Sequence, residues 1–540
     1  MAMATDGRAA RAIRIAGLLA FGVAGAASAQ LADAPYSAPA PAPAKADATA
    51  ASGEPGSQGR GGWVFVPSIT VRGTATDNVD QLPDNRARSD FITEIIPGIR
   101  IDGSGRRVKL HLDYRMDNLI YARDSSQNDL RNFLNAFGSL EAIEHFLFID
   151  ARAAIDQEAI SPFGPRPTDT TTSANRTETR TYQVSPYVQG RLAGTTNYLV
   201  RYDYTDLHST STATGNERTS LVTARLQGET RIDALGWSAD ATSQRSDFET
   251  ARDTQDDRVR GTAIYAFDPQ LHVHVTAGYE RNNYITLQTE GNTTYGGGFE
   301  WAPTQRSKVF GNWEHRFFGD GWNYGASNRS PYLALSFSDK RDVTTDAQSR
   351  IGGAGYTAAY NMLFAALATR IPDPADRASE VQRLLESGNI PGDLGLPSDF
   401  VVGNSYIERR QEASAAILGV RNTISFAVYR LTRDNLVATG PDVPPATTPN
   451  TREWGASANL GHKVTPFTTF NLGGTWRETS ATSGADIKSK EWTARTGLAT
   501  HFGRHTTGTV EYRYTHFNSD AGTNSDYTEN ALIATLFYQF

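Results

Sequence analysis

The stretch Val108-Lys109-Leu110-His111-Leu112-Asp113-Tyr114-Arg115-Met116-Asp117 alternates without a break between apolar and polar side chains. Successive side chains of an extended strand point to opposite faces. Val108, Leu110, Leu112, Tyr114 and Met116 therefore make one wholly apolar face, and the opposite face carries charges of both signs. The same theme recurs along the chain. Tyr198, Val200, Tyr202 and Tyr204 stand against Arg201 and Asp203, and Val222, Ala224 and Leu226 against Arg225, Gln227 and Glu229. Val309, Trp313 and Phe317 oppose Lys308, Asn312, Glu314 and Arg316, and Val510, Tyr512 and Tyr514 oppose Glu511 and Arg513.

Alternation also occurs in soluble sheets, so three further features name the solvent on the apolar face. The repeated stretches run to about 10–15 residues, longer than the usual soluble strand and suited to a tilted crossing of about 25 Å of hydrocarbon. Connections are expected to alternate strictly between short and long, as periplasmic turns and extracellular loops do. The short set includes Gly103-Ser104-Gly105, Asp268-Pro269, Ser330-Pro331, Thr465-Pro466 and Gly503-Arg504; the long set includes 77–90, 158–177, 209–217 and 438–450. Aromatics gather near strand ends, as an interfacial girdle requires. Finally, Leu532, Ala534, Leu536, Tyr538 and Phe540 share one face of the last strand, and Tyr538 with Phe540 has the form of a barrel assembly signal. An aromatic edge strand would be an aggregation hazard, and barrel closure removes that edge.

These features predict an all-β fold, a transmembrane antiparallel up-and-down β-barrel of about 22 strands (roughly 18–24) over residues 63–540, with both termini periplasmic. One stretch breaks the alternation. From about Gly355 to Pro397, Tyr360, Leu363, Phe364 and Leu367 recur at helical spacing, Asp373 and Pro374 open a second helix, Val381, Leu384 and Leu385 form its stripe, and Gly388 ends it. A small helical hairpin is expected there, in an extracellular connection, either folded back into the barrel mouth or standing outside as a cap.

The N-terminus reads as a signal peptide over 1–29: Arg8, Arg11 and Arg14, an apolar run from Ile15 to Ala24, and Ala27-Ser28-Ala29 before a cleavage site at Gln30. Residues 30–62, with Ala38-Pro39-Ala40-Pro41-Ala42-Pro43-Ala44 at their centre, read as an extended periplasmic linker. The 540 residues contain no cysteine, which excludes disulfides and thiolate metal sites. A net charge of -7 supplies no field to recruit nucleic acid. Mean hydropathy is low at -0.45, because period-two strands spread their apolar residues singly.

Catalytic motifs are missing: there is no HExxH, no GxSxG and no phosphate loop, so no catalytic, cofactor or metal residue is assigned. His272 and His274 share a strand face and could form half a metal site, but spacing suggests no third ligand. His208 beside Asp206 is the pair a loop-based hydrolase would use. Gly296-Gly297-Gly298 reads as a relaxed or closely packed strand. The chemistry lies in the lumen, lined by Lys109, Asp113, Arg115, Asp150, Arg152, Arg201, Asp203, Arg225, Glu229, Lys308, Glu314, Arg316, Glu511 and Arg513. This mixed-charge wall suits a hydroxyl-rich solute, and it suits mechanical bracing of a wide barrel equally well.

Pro67-Ser68-Ile69, Thr76-Asp77-Asn78, Pro97-Gly98-Ile99, Asp113-Tyr114, Ser161-Pro162-Phe163-Gly164, Ser185-Pro186-Tyr187 and Arg316-Phe317-Phe318-Gly319, in this order, resemble the PEP-CTERM system-associated outer-membrane proteins of Gram-negative bacteria. The helical insert is similar too. The resemblance implies a barrel in the cell outer membrane, in contact with outer-membrane lipid and the barrel assembly machinery, acting with exopolysaccharide and its export components. It carries over no ligand or catalytic residue. Three functions follow as expectations: a channel or accessory for exopolysaccharide secretion, a general diffusion porin, and a loop-based outer-membrane hydrolase.

Overall fold

The computed structural model describes residues 62–540, apart from 169, 171, 233, 354–362, 365–366, 368–370, 372–376, 378–380, 382–399, 439–447, 485 and 522–525. The predicted signal peptide and linker thus lie outside the described residues. Twenty-two strands, each antiparallel to the next, make one sheet from β1 (Trp63–Thr76) to β22 (Tyr527–Gln539). The sheet closes where Ser68 to Thr76 of β1 pair with Gln539 to Ala531 of β22. Closure pairs the edge of β22 with the Ser68–Thr76 part of β1, and the amide of Phe540 adds a hydrogen bond to the Pro67 carbonyl at 3.0 Å.

The outer face is the apolar one. Val71, Ile95, Ile120, Val200, Val259, Val275, Phe337, Phe426, Leu498 and Leu536 are all exposed there, with Val275 65% accessible. Singly exposed apolar residues are ordinary, but a continuous belt of them around a closed sheet has only lipid as a partner. Tyr538 and Phe540 lie on this face, their rings edge to face at 4.9 Å. A strand of 14 residues, such as β3 (Val108–Tyr121), is about 46 Å long and rises about 35 Å at a tilt of about 40°. That exceeds the hydrocarbon band by about 10 Å, so the outer strand ends stand above the membrane. The charges of Asp206, His208, Arg218 and Arg245 at those ends on the outer face are accommodated there.

At one end every connection is short; at the other the longest runs from Thr345 to Ser405. The alternation is not strict. At the long-loop end Phe317 and Phe318 alone join β13 (Ser307–Arg316) to β14 (Gly319–Arg329). Gly319, at φ +89°, permits this tight return. Phe317 belongs to the turn rather than to the outer stripe: its ring stacks on Tyr284 at 5.2 Å and its amide donates to Glu280 Oε1 at 2.5 Å. In β12 (Glu290–Thr304) the glycine run marks close approach of β13, since a Cβ on Gly298 would fall 2.2 Å from the Gly311 carbonyl oxygen.

Most of the helical hairpin expected at 355–397 lies outside the described residues. Of its members, Leu363, Phe364, Leu367, Arg377 and Val381 are helical, with Leu363, Leu367 and Val381 buried, and Arg377 packs over the Phe364 ring at 4.6 Å. A helix the sequence reading did not anticipate, α1 (Asp346–Gly353), starts the same connection. Thr345 caps it by accepting from the Gln348 amide at 3.3 Å.

Candidate functional site

The inner face is a network of braced charges. Pairing register carries each charged residue assigned to the lumen onto the side opposite the exposed apolar rows. Arg201 bridges Asp150 at 3.0 Å and Asp203 at 2.8 Å, and Arg225 meets Asp240 at 2.8 Å. Glu314 takes Arg260 at 3.1 Å, Lys308 meets Glu300 at 2.8 Å, and Arg513 meets Glu529 at 3.0 Å. Arg316 contacts Glu280 at 3.0 Å and Asp342 at 2.6 Å. Arg152 lies over the Phe137 ring at 5.4 Å and Arg115 over Phe133 at 4.4 Å. Lys109, Asp113, Arg115, Glu229 and Glu511 form no ion pair among the described residues. They stand between the short-turn end and the middle of the wall. His272 and His274 also face inward, and no group of three or more His, Asp and Glu suited to a metal occurs among the described residues. His208 and Asp206 lie on the outer face at the loop end, where Asp206 pairs with Arg218 at 3.4 Å.

A 22-strand cylinder with strands about 4.8 Å apart and tilted about 40° is about 44 Å across between backbones. Even after side chains line it, such a bore would sieve very little. Two connections fold into this space at the loop end.

The first is the β15–β16 connection, from β15 (Leu333–Thr344) to β16 (Tyr406–Leu418). Its helix α1 turns inward and packs against β6 (Thr177–Leu192), β7 (Thr196–Ser209) and β8 (Glu217–Glu229). The amide of Ala347 donates to Glu217 Oε2 at 3.0 Å, Gln348 Nε2 to Gln244 Oε1 at 2.7 Å, and Arg350 Nη1 to Glu158 Oε1 at 2.7 Å. Asp346 ties the two ends of the connection: its Oδ2 accepts from the amides of Val402 at 2.8 Å and Gly403 at 2.7 Å. Burial raises the Asp346 pKa above the ordinary aspartate value, the opposing pull of Arg350 and of these amides offsetting only part of the effect. The described ends of the connection thus fold back into the mouth, while the hairpin whose two dispositions the sequence leaves open lies mostly outside the described residues. A small polar cavity between α1 and the wall, lined by Thr242, Gln244, Asp256, Arg258, Tyr284 and Gln348, has room for about one water molecule.

The second is the connection 159–176, between β5 (Leu147–Glu158) and β6. Asn175 closes its base, accepting from the Ser161 amide at 2.6 Å and donating to the Ser161 and Pro165 carbonyls at 2.9 and 3.0 Å. From that base the loop crosses the mouth. Arg166 Nη2 reaches Glu453 Oε2 at 3.0 Å on β18 (Thr451–Lys463), and Ser519 at the end of β21 (Thr506–Ser519) donates to the Phe163 carbonyl at 2.9 Å. Tyr121 donates to the Thr170 carbonyl at 3.0 Å and Thr172 to Asp80 Oδ1 at 2.7 Å. Burial acts to raise the Asp80 pKa, but bonds from Arg88 and Thr172 outweigh it and hold the group below the usual range. The two connections also touch each other: Ala159 bridges Phe400, and these two pack with Val402 and Tyr406.

Arg166, Glu453, Glu217 and Asp346 were not singled out in the sequence. Glu453 was legible as an inward position, since Trp454, Ala456, Ala458 and Leu460 alternate with Glu453, Gly455, Ser457 and Asn459. Arg166 and Asp346 sit in connections without periodicity, where only the folded chain brings them to their partners.

No protein-family model matches the chain, and no curated protein sequence does. Among solved structures, the siderophore receptor PirA from Pseudomonas aeruginosa is similar over 89% of this chain and 81% of its own, at 8% identity and a TM-score of 0.38. OpdK of the same organism, solved with vanillate, matches over 88% and 99% at 8% identity and a TM-score of 0.33. OccK2 (OpdF) of that organism, in complex with glucuronate, matches over 88% and 98% at 9% identity, also with a TM-score of 0.33. The assignment to a membrane rests on the molecule itself: a closed antiparallel sheet, apolar outside and charged inside, with short turns at one end and long connections at the other. The chain is an outer-membrane β-barrel.

Proposed function

We propose that this barrel is a diffusion channel for small hydrophilic solutes, with its selectivity set at the mouth where the connections 159–176 and 345–405 meet. The observation that supports the reading is that two connections dock to opposite parts of the wall of a 22-strand cylinder about 44 Å across between backbones. The braced charges keep the wall hydrated and stiff, while Lys109, Asp113, Arg115, Glu229 and Glu511, without an ion pair among the described residues, offer charge to a passing solute. The conduit for exopolysaccharide rests on the sequence resemblance alone, and a mouth this filled suits small solutes better than a polymer. The arrangement also favours a channel over a hydrolase, because Asp206 is engaged by Arg218 and is not held for His208.

Swelling of liposomes containing the purified protein, challenged with sugars of increasing size, tests this directly. The expected result is rapid entry of monosaccharides and small organic acids, with entry falling steeply for oligosaccharides. Equal entry of long oligosaccharides, together with loss of surface polysaccharide in a deletion strain, would replace the diffusion reading with the export one.

A further inference from the structure

The outer face changes character abruptly on β15, β16, β17 (Asn422–Asn435) and β18. Below, it is apolar: Leu335 and Phe337 on β15, Ile417 on β16, Ile424 and Phe426 on β17, with Leu460 on β18. Two successive rows then run across the strands by pairing register. The first is Asp339, Gln411, Arg430 and Trp454; the second is Arg341, Arg409, Thr432 and Arg452. Four arginines thus face the membrane side of the barrel within the width of four strands.

Their height matters. From Val420, exposed in the short turn, to Arg430 the chain climbs about 25 Å at a tilt of about 40°, which is the height of the hydrocarbon band. The two rows sit at its upper edge, where outer-leaflet headgroups lie.

The arginines are held but under-neutralised. Arg409 makes a forked pair with Asp339, at 3.2 and 2.8 Å. That carboxylate is also taken by Trp322 Nε1 at 2.9 Å and Gln411 Nε2 at 2.8 Å. Arg341, Arg430 and Arg452 have no ion pair among the described residues. Arg341 stands directly opposite Arg409, and Arg430 has Arg409 and Arg452 as neighbours of like charge. Like charges facing across strands are unfavourable. Asp434, near Arg341 and Arg452, is the other acid within the patch. At its flanks Asp320 pairs with His315 at 2.9 Å and Glu478 with Lys490 at 3.5 Å. Aromatic rings fix the guanidinium planes: Arg341 and Arg409 lie 5.5 and 5.0 Å from Trp322, and Arg430 lies 4.9 Å from Trp454. Planar, pre-oriented guanidinium groups at a membrane edge match phosphate oxygens.

We propose that Arg341, Arg409, Arg430 and Arg452 bind the phosphorylated headgroup of an outer-leaflet lipid, whose acyl chains lie on Phe337, Phe426 and the apolar rows below. The phosphate supplies the negative charge that the cross-strand arginines lack. The test is native mass spectrometry of the detergent-solubilised full chain, titrated with diphosphorylated lipid A, with its dephosphorylated form and with inorganic phosphate. The wild-type protein is expected to retain the diphosphorylated lipid, and the dephosphorylated form to bind about tenfold more weakly or worse. Combining Arg341→Gln, Arg430→Gln and Arg452→Gln removes the preference, whereas Arg218→Gln with Arg245→Gln, on the outer face of other strands, leaves it intact. Arg452→Gln alone, at an exposed position, gives a partial loss in a barrel whose folding is checked by heat-dependent electrophoretic mobility. Equal binding of both lipid forms, an undiminished preference in the folded triple variant, or displacement of the lipid by millimolar inorganic phosphate would each overturn the assignment.

Discussion

Arg166→Ala should release the loop 159–176 from the far wall of the barrel. Arg166 is 7% exposed and its guanidinium meets Glu453 at 3.0 Å, while Glu453 also accepts from Tyr429 at 2.7 Å and from Thr479 at 3.1 Å. Removing one partner of a buried ion pair costs about 3–5 kcal/mol, chiefly because the other charge stays buried without compensation. The two remaining hydroxyl donors keep Glu453 partly satisfied, which places the expected loss at the lower end, about 3 kcal/mol. That is a shift of about a hundredfold in the ratio of docked to undocked loop. The barrel wall does not depend on this contact, so folded yield should be unchanged. Single-channel recording should show more frequent and longer openings, and limited proteolysis should cut within 159–176 much faster than in the wild type. Adding Glu453→Ala removes the stranded charge, so the double variant should cost less than the two single costs added together. Unchanged gating and unchanged proteolysis in a folded Arg166→Ala protein would refute the idea that this ion pair holds the constriction.

Other expectations follow from the wall and the mouth. Val275→Arg puts a charge in the lipid belt and should destabilise the barrel by about 2–4 kcal/mol in denaturant titrations of protein refolded into vesicles; a change near zero would mean that this face does not meet hydrocarbon. Gly298→Val cannot keep the β12–β13 register, because its Cβ would collide with the Gly311 carbonyl, and folded yield should fall sharply; wild-type yield would show that the strands are not so close. The mouth should respond to pH in two opposite ways. Asp346 has a raised pKa, so its contribution to docking α1 is present in acid and declines as pH rises above 3.8 through the raised value; Asp80 has a lowered one, so its contribution is present above 3.8 and is lost as pH falls through the lowered value. Open probability should therefore increase with pH above 3.8, and Asp346→Asn should reduce that increase, because the buried Glu217 that accepts the Ala347 amide still titrates against α1; an Asp346→Asn channel whose response to pH is undiminished would exclude this carboxylate as a cause.

The wall was readable from sequence because a half-lipid, half-water strand has to alternate residue by residue. Val108 to Asp117 states both solvents in ten positions. Inward charges were legible for the same reason, and so were neighbours two apart on one strand such as Arg201 and Asp203, but not partners on other strands: that Arg201 also meets Asp150 depends on the stagger between β5, β6 and β7, which alternation does not encode. Connections follow no period. The turn Phe317-Phe318 looked like strand because Phe317 continues the spacing of Val309 and Trp313, and only Gly319 at positive φ betrays the return. Helix α1 was missed because Asp346-Ala347-Gln348-Ser349-Arg350-Ile351-Gly352-Gly353 has no apolar stripe. It is held by hydrogen bonds to Glu217, Gln244 and Glu158, contacts more than 100 residues away in the chain. The constriction is thus a tertiary property, and so is the arginine patch, whose members come from four strands.

If a wide barrel is narrowed by its own infolded connections, removing one of them must widen it. Thr344 and Tyr406 are direct cross-strand partners, so residues 345–405 can be replaced by a two-residue Asn-Gly turn without changing the register of β15 and β16. The measurement is planar-bilayer conductance of that protein beside the wild type. A several-fold larger, steadily open conductance is predicted; a conductance equal to the wild type, or none in either protein, would contradict it.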